Sequence, residues 1–139
     1  MAERREARGV IDTSVVIDLE RIDPAGLPLE LAVSAVTLAE LGAGPHATAD
    51  PAERARRQDR LQRAEATFDP LPFDVAAARA YGRIYAAVTA SGRQARGRRA
   101  MDLLIAATAL GANLPLYTCN PRDFERLPAA LRVVGVVAS

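Results

Sequence analysis

The stretch VIDTSVV, which spans Val10–Val16, decides the fold. Val and Ile favour a buried strand, whereas Asp, Thr and Ser are depleted in strands and favoured at helix starts. The sequence therefore predicts that the chain leaves a sheet here, with Asp12 at the carboxyl end of the first strand. In open α/β sheets that edge is where ligands bind. Acidic residues that follow other strands of the same sheet would meet Asp12 there.

Length and composition indicate one ordinary folded domain. The chain has 139 residues, of which half are hydrophobic and a quarter charged, so it can bury a single core without disulfides or metals as staples. Its one cysteine, Cys119, excludes an internal disulfide framework and favours a reduced cytoplasm. No apolar run approaches a membrane span, and no signal peptide is predicted. We predict a disordered leader, or an over-long start, at 1–8 and a single domain at 9–139.

Basic charge comes from arginine alone, since the chain has no lysine, and its net charge is close to zero. Arginine makes planar, bidentate phosphate contacts that lysine cannot make. With no Trp and few aromatic residues, a stacking platform for single strands is not expected. Any nucleic-acid contact would be mostly to the backbone, and the basic Gly92–Arg99 segment is the favoured place for it.

Strand-like and helix-like segments alternate, which implies a mainly parallel sheet with helices on both faces. The predicted strands are the first one before Asp12, then Leu31–Val36, Leu71–Phe73, Leu114–Thr118 and Val133–Val137. The predicted helices are Ser14–Arg21, one opening at Thr37, one from Asp50 to about Thr67, one from Asp74 to about Ser91, Ala100–Leu110, and one starting at Asn120.

Local patterns predict where several helices begin and end. Thr37 and Glu40 have the spacing of a capping box, and Asp50 stands before a proline at the first helical position. Gly111 suits a C-cap after a helix that is apolar on nearly all sides. The helix after Asp74 has a rough apolar stripe, formed by Val75, Ala78, Tyr81 or Gly82, Tyr85 and Val88.

Four acidic residues stand out among apolar neighbours: Asp12, Glu40, Asp102 and Asp123. A carboxylate in an apolar setting is costly unless it is hydrogen-bonded, paired or bound to metal. Asp102 is the sharpest case, because its helix is predicted to be buried. Three of the acids follow a predicted strand, so they are expected to converge. Such a cluster of hard oxygens suits Mg²⁺ or Mn²⁺, which can activate water and stabilise charge on a phosphodiester.

Three of these acids also have a purely structural interpretation. The capping box alone would explain Glu40, a strand-end cap would explain Asp12, and the dipole of a helix start would favour Asp123. Asp102 is the hardest to explain in this way, because the arginines that would neutralise it lie upstream in a predicted loop. The residues alone leave these alternatives open.

Taken in order, four motifs resemble those of PIN domains. They are VIDTS around Asp12, TLAEL around Glu40, AMDLLIAA around Asp102, and YTCNPRDF with Asn120 and Asp123. More narrowly, the chain resembles the VapC-type toxins of bacterial toxin–antitoxin pairs from about Val10 to Val137. The resemblance implies a three-layer α/β/α fold with a mainly parallel sheet and a Mg²⁺- or Mn²⁺-dependent endoribonuclease. It also implies a VapB-type antitoxin partner and a homodimer that assembles further with antitoxin.

The resemblance also assigns roles to residues. Asp12, Glu40 and Asp102 match the three family acids that hold metal. Asp123 takes the fourth role, through water, although some relatives have an acid where this chain has Asn120. Contacts that position the metal ligands, without touching the metal, are expected from Ser14, Thr118 and Asn120. Contacts to the RNA backbone are expected from Arg93, Arg96 and Arg98.

Two other functions remain open from the sequence. A phosphatase or phospho-acceptor domain on a similar sheet usually needs a second Asp close behind the first, or a Lys, and this chain has neither. A catalytically silent PIN-like binding module would instead use the acidic pocket to receive an arginine from a partner.

Overall fold

In residues 5–139, which the computed structural model describes, the chain forms a sheet of four strands and five α-helices. The strands are β1 (Arg8–Ile11), β2 (Glu30–Ala32), β3 (Leu116–Thr118) and β4 (Val133–Gly135). The helices are α1 (Thr13–Ile17), α2 (Ala35–Ala43), α3 (Pro51–Thr67), α4 (Val75–Ala90) and α5 (Arg98–Gly111). Short 3-10 turns cover Leu19–Arg21, Pro24–Gly26, Gly44–Ala47 and Pro121–Phe124.

The four strands are parallel and lie in the order β2-β1-β3-β4. Val10 of β1 is in register with Ala32 of β2 on one side and Leu116 of β3 on the other. Because the strands run the same way, their carboxyl ends meet at one edge of the sheet. The residues that follow β1 and β3 are therefore brought side by side.

Helices cover both faces of this sheet. Successive strand residues point to opposite faces, so Val10 and Leu116 belong to one core with α4 and α5, whereas Ile11 and Tyr117 belong to a second core with α1, α2 and α3. Two buried cores separated by a sheet make the three-layer α/β/α architecture, and the predicted fold class is confirmed. Among the described residues, no helix combines the length and apolarity needed to cross a membrane.

Helix α2 begins earlier than the sequence predicts. The Ser34 hydroxyl accepts the Thr37 N–H at 3.0 Å and caps the helix, so Thr37 lies in its first turn and Glu40 in its body. The capping-box explanation of Glu40 is wrong, because a serine placed just after β2 takes the capping role. The second strand accordingly ends at Ala32 rather than at Val36.

Helices α4 and α5 pack through small residues. A Cβ on Gly111 would come within 2.8 Å of backbone atoms of Ala76 and Ala77. Gly111 is therefore needed for close approach, and the predicted C-cap there is wrong, since Ala112 takes that position. The buried side of α4 is Ala77, Ala80, Ile84 and Val88. The predicted stripe is confirmed at Val88 and in part at Tyr81, which is half-buried against the same core. It is wrong at Val75, Ala78 and Tyr85, which are exposed.

Of the other predicted features, two helix caps are confirmed and one strand is not. Asp50 and Asp74 cap α3 and α4 as predicted. The predicted strand at Leu71–Phe73 is reduced to a single bridge between Leu71 and Ser34.

The predicted leader overlaps the described chain at residues 5–8, while residues 1–4 lie outside it. Arg5 Nε donates to the Leu27 carbonyl at 3.1 Å, and the Leu29 N–H donates to the Glu6 carbonyl at 2.9 Å. Arg8 is the first residue of β1. Residues 5–8 are thus tied to the segment that leads into β2.

Candidate active site

Asp12 lies at the carboxyl end of β1 and is almost fully buried, with 4% of its surface exposed. Its Oδ1 accepts the Val15 N–H at 3.1 Å and the Ser14 hydroxyl at 2.5 Å. The strand-end cap that the sequence allowed as an alternative is therefore present. It uses only one carboxylate oxygen, and Oδ2 accepts no hydrogen bond from the described residues. Capping and ligand binding are compatible at Asp12.

Two small hydroxyl residues tie the strand ends together beside Asp12. The Ser14 Oγ accepts the Cys119 N–H at 3.0 Å, which joins the start of α1 to the end of β3. The Thr118 Oγ1 is fully buried and accepts the Asn120 N–H at 3.0 Å. Ser14 thus contacts an acid of the site directly, whereas Thr118 shapes the turn that carries Asn120. Asn120 itself is exposed.

Glu40 reaches the same edge from the body of α2 and is half-buried. Its Oε1 accepts the Thr13 hydroxyl at 2.6 Å, and the Thr13 Oγ1 lies 3.1 Å from the Thr37 Oγ1. Neither threonine was among the predicted site residues. A signal was available, because Thr13 follows Asp12 directly and Thr37 lies one turn before Glu40 on the same face of α2.

Asp102 lies in the second turn of α5 and is half-buried. Burial raises the pKa of its carboxyl from the ordinary 3.8 to about 6, with the negative charges of Asp123, Glu40 and Asp12 contributing to the rise and Arg98 opposing it. The structure therefore brings the other three predicted acids within electrostatic reach of Asp102.

Asp123 approaches from the 3-10 turn after β3, and its side chain is exposed. The helix predicted from Asn120 is only this short turn. Arg99 Nη1 donates to the Asp123 carbonyl oxygen at 3.2 Å and links the turn to α5. The Nε and Nη2 atoms of Arg99 are buried and have no hydrogen-bond partner among the described residues.

Of the arginines proposed to contact RNA, Arg98 acts electrostatically on Asp102. Arg93 and Arg96 are exposed in the loop before α5, and Arg98 is exposed at the helix start. Within residues 5–139 none of the three makes a side-chain hydrogen bond or ion pair. On α3, by contrast, Arg56 and Arg57 bind Glu53, and Arg63 binds Asp59 and Glu20.

The acids form an open cluster rather than a closed ligand cage. Across the part of the chain that the structure describes, no three His, Cys, Asp or Glu side chains are gathered closely enough to hold one metal ion directly. Mg²⁺ commonly uses one or two carboxylates and keeps several of its waters. Hard carboxylate oxygens that repel one another are a donor set suited to such an ion.

The parallel three-layer fold with acids at its carboxyl edge defines the class of protein. A family model described as PIN domain matches residues 9–130, and the chain belongs to the PIN-domain family.

Within this family, the chain is similar to individual proteins over most of its length. The chain is 40% identical over 130 residues to Ribonuclease VapC5 of Mycobacterium tuberculosis (strain ATCC 25618 / H37Rv), and the match covers 91% of this chain and 93% of the relative. It is 31% identical over 123 residues to Ribonuclease VapC of Rickettsia bellii (strain RML369-C), covering 86% and 90% of the two chains.

A solved structure of VapBC-5, a member of the VapBC family of toxin–antitoxin systems from Mycobacterium tuberculosis, superposes with a TM-score of 0.78. Its sequence is 36% identical, and the match covers 94% of this chain and 99% of that one. FitAcB from Neisseria gonorrhoeae superposes with a TM-score of 0.69 at 27% identity, covering 91% and 96%.

Proposed function

We propose that this chain is a Mg²⁺- or Mn²⁺-dependent endoribonuclease and the toxin of a VapBC-type pair. The observation that carries the proposal is the convergence of Asp12, Glu40 and Asp102, whose mutual repulsion contributes to the raised pKa of Asp102. Carboxylates held together in this way favour a bound cation. Likeness to proteins named Ribonuclease VapC supports RNA as the substrate, and it favours the nuclease over the phosphatase alternative.

Each residue of the cluster has a role in the proposed reaction. Asp12, Glu40 and Asp102 would hold the ion, in part through its retained waters, and the exposed Asp123 would orient the attacking water. When bound, the ion lowers the pKa of water and offsets negative charge on the phosphodiester. Ser14 holds Asp12 in place, while Thr118 and Asn120 shape the turn that presents Asp123.

The basic loop draws in the RNA backbone. Arg93, Arg96 and Arg98 are exposed and have no ion-pair partner among the described residues, so their guanidinium groups are available to phosphates. The arginines of α3 that are already paired with Glu53 and Asp59 are poorer candidates. Backbone contacts of this kind make RNA binding strongly dependent on salt.

A VapB-type antitoxin, a homodimer and a cytoplasmic location are further parts of the proposal. The VapBC-5 structure supports the antitoxin as partner, because the likeness covers nearly the whole of both chains. An arginine from such a partner would satisfy the acidic cluster in place of metal. This contact is compatible with catalysis and is also the basis of the silent-module alternative.

Sequencing of RNA ends after induced expression tests the proposed activity. We expect new RNA ends with the wild-type chain, none with Asp102→Asn, and suppression when the antitoxin is co-expressed. Calorimetric titration of Mn²⁺ into the isolated chain separates the nuclease from the silent module. Absence of binding at millimolar Mn²⁺, together with an unchanged pattern of RNA ends, would favour the module.

A further inference from the structure

A chain of hydroxyl groups leads from the buried core to Glu40. The Thr13 Oγ1 lies 2.6 Å from the Glu40 Oε1 and 3.1 Å from the Thr37 Oγ1. Each hydroxyl has one proton to donate, and an ionised carboxylate can only accept. Thr13 therefore donates to Glu40, and Thr37 donates to Thr13. Thr37 is fully buried, so this bond also satisfies a group that would be costly to leave without a partner.

The two acids at the end of β1 and in α2 are held in the same manner. Oδ1 of Asp12 accepts from Ser14 and Val15, and Oε1 of Glu40 accepts from Thr13. Within residues 5–139, the second oxygen of each carboxylate accepts no hydrogen bond. Each acid thus has one oxygen committed to the protein and one available to a ligand.

We propose that Thr13, supported by Thr37, is a positioning residue that makes Glu40 a single-oxygen ligand, as Ser14 and the Val15 N–H do for Asp12, and that this arrangement selects Mg²⁺ or Mn²⁺ over Ca²⁺. The proposal rests on the proposed function, since it takes the acidic cluster as the metal site. Mg²⁺ demands octahedral geometry and retains waters, whereas Ca²⁺ takes six to eight oxygens and readily uses both oxygens of one carboxylate. Committing one oxygen to a hydroxyl disfavours the calcium mode.

Calorimetric titration of Mn²⁺ and of Ca²⁺ into the full chain tests this selection. In Thr13→Val the Oε1 of Glu40 is released, and we expect Mn²⁺ affinity to fall by about 10- to 100-fold, as for other residues that orient metal ligands. Ca²⁺ affinity should fall less, so that the preference shifts toward Ca²⁺. Thr13→Ser keeps the hydroxyl and should retain the wild-type preference.

Thr108→Val is the matched control. Thr108 is a buried threonine whose hydroxyl donates to the Leu104 carbonyl at 3.0 Å within α5. This substitution removes a buried hydroxyl without touching the acidic cluster, and we expect both metal affinities to stay at their wild-type values.

A double variant separates metal binding from stability. Thr13→Val leaves the buried Thr37 hydroxyl without an acceptor and should lower the melting temperature. Thr13→Val combined with Thr37→Val removes both partners, so part of the stability should return while the Mn²⁺ defect persists. Recovery of Mn²⁺ affinity together with stability would overturn the positioning role.

The remaining outcomes distinguish the proposed role of Thr13 from the proposed metal site on which it rests. Unchanged Mn²⁺ affinity in Thr13→Val, with binding abolished in Asp102→Asn, overturns the role of Thr13 and leaves the metal site standing. Failure of the wild-type chain to bind Mn²⁺ overturns both. If Thr13→Val does not fold, a structure of the wild-type chain with Mn²⁺ decides, because coordination by both oxygens of Glu40 would contradict the proposal.

Discussion

Substitution of Asp102 by Asn should stabilise the metal-free protein at neutral pH. The pKa of Asp102 is raised from 3.8 to about 6 by burial and by neighbouring acids, so the folded state holds this proton more tightly than the unfolded state does. The resulting stabilisation is fully present below about pH 4 and is lost as the pH rises through about 6. Above that pH the ionised carboxylate opposes folding, and Asn removes the charge.

The size of the expected gain in stability follows from the pKa shift of Asp102. A difference of about two pKa units corresponds to about 3 kcal/mol. Because Asp102 is only half-buried, water screens the repulsion, and we expect about 1–2 kcal/mol. In a domain of this length each kcal/mol moves the melting temperature by about 3–5 °C. Asp102→Asn should therefore melt several degrees above wild type at pH 7.5.

Thermal unfolding in EDTA across pH 4 to 7.5 measures this gain. We expect it to be largest at pH 7.5 and to become small near pH 4, where the Asp102 carboxyl is protonated in the folded state. Asp69→Asn is the control, since Asp69 is an exposed acid between α3 and α4, and its substitution should change little at any pH. A loss of stability in Asp102→Asn at pH 7.5, or an equal gain at pH 4, would refute the reasoning. Added Mn²⁺ should stabilise wild type and not the variant.

Three other variants test separate parts of the structure. Asp12→Asn should fold normally, because Asn caps helices as well as Asp does, yet it should lose RNA cleavage. Circular dichroism measures the folding and a cleavage assay the activity. A misfolded variant would contradict the claim that capping and metal binding by Asp12 are separable. Replacing Arg93, Arg96 and Arg98 by Gln should weaken RNA binding. The slope of log K against log salt concentration should fall by about 0.7 for each phosphate that is no longer neutralised. An unchanged slope would exclude these arginines as contacts to the RNA backbone. Gly111→Ala should destabilise the fold by about 1–3 kcal/mol through overpacking, because the added Cβ meets the backbone of α4; denaturant unfolding gives the value, and a neutral result would place α4 further from α5.

The convergence of the acids was predictable because few topological rules govern it. Strands that alternate with helices form parallel sheets, and parallel strands end at one edge, so Asp12 and the turn with Asp123 had to meet. Asp102 was recognisable as a candidate site residue because a carboxylate in an otherwise apolar helix is unfavourable unless it has a partner or a ligand. These inferences depend on chain order and composition, both of which the sequence contains.

What the sequence left unresolved depends on contacts between elements. Local spacing could not tell whether Thr37 or Ser34 caps α2, because both precede a suitable helix and only the end of β2 decides. Nor could it show that the Thr13 hydroxyl meets Glu40, since that contact requires α1 to lie beside α2. The small-residue face of α4 was missed for a similar reason, because alanines pack closely only where Gly111 lets α5 approach.

RNA cleavage by the purified chain, measured with Mg²⁺, with Mn²⁺ and after removal of metal by EDTA, tests the central claim most directly. Wild type and Asp69→Asn should cleave only when metal is present, and restored metal should restore the activity. Asp102→Asn, shown to be folded by its melting curve, should not cleave under any of these conditions. Full cleavage in EDTA, or by folded Asp102→Asn, would contradict an acidic metal site at the carboxyl edge of the sheet.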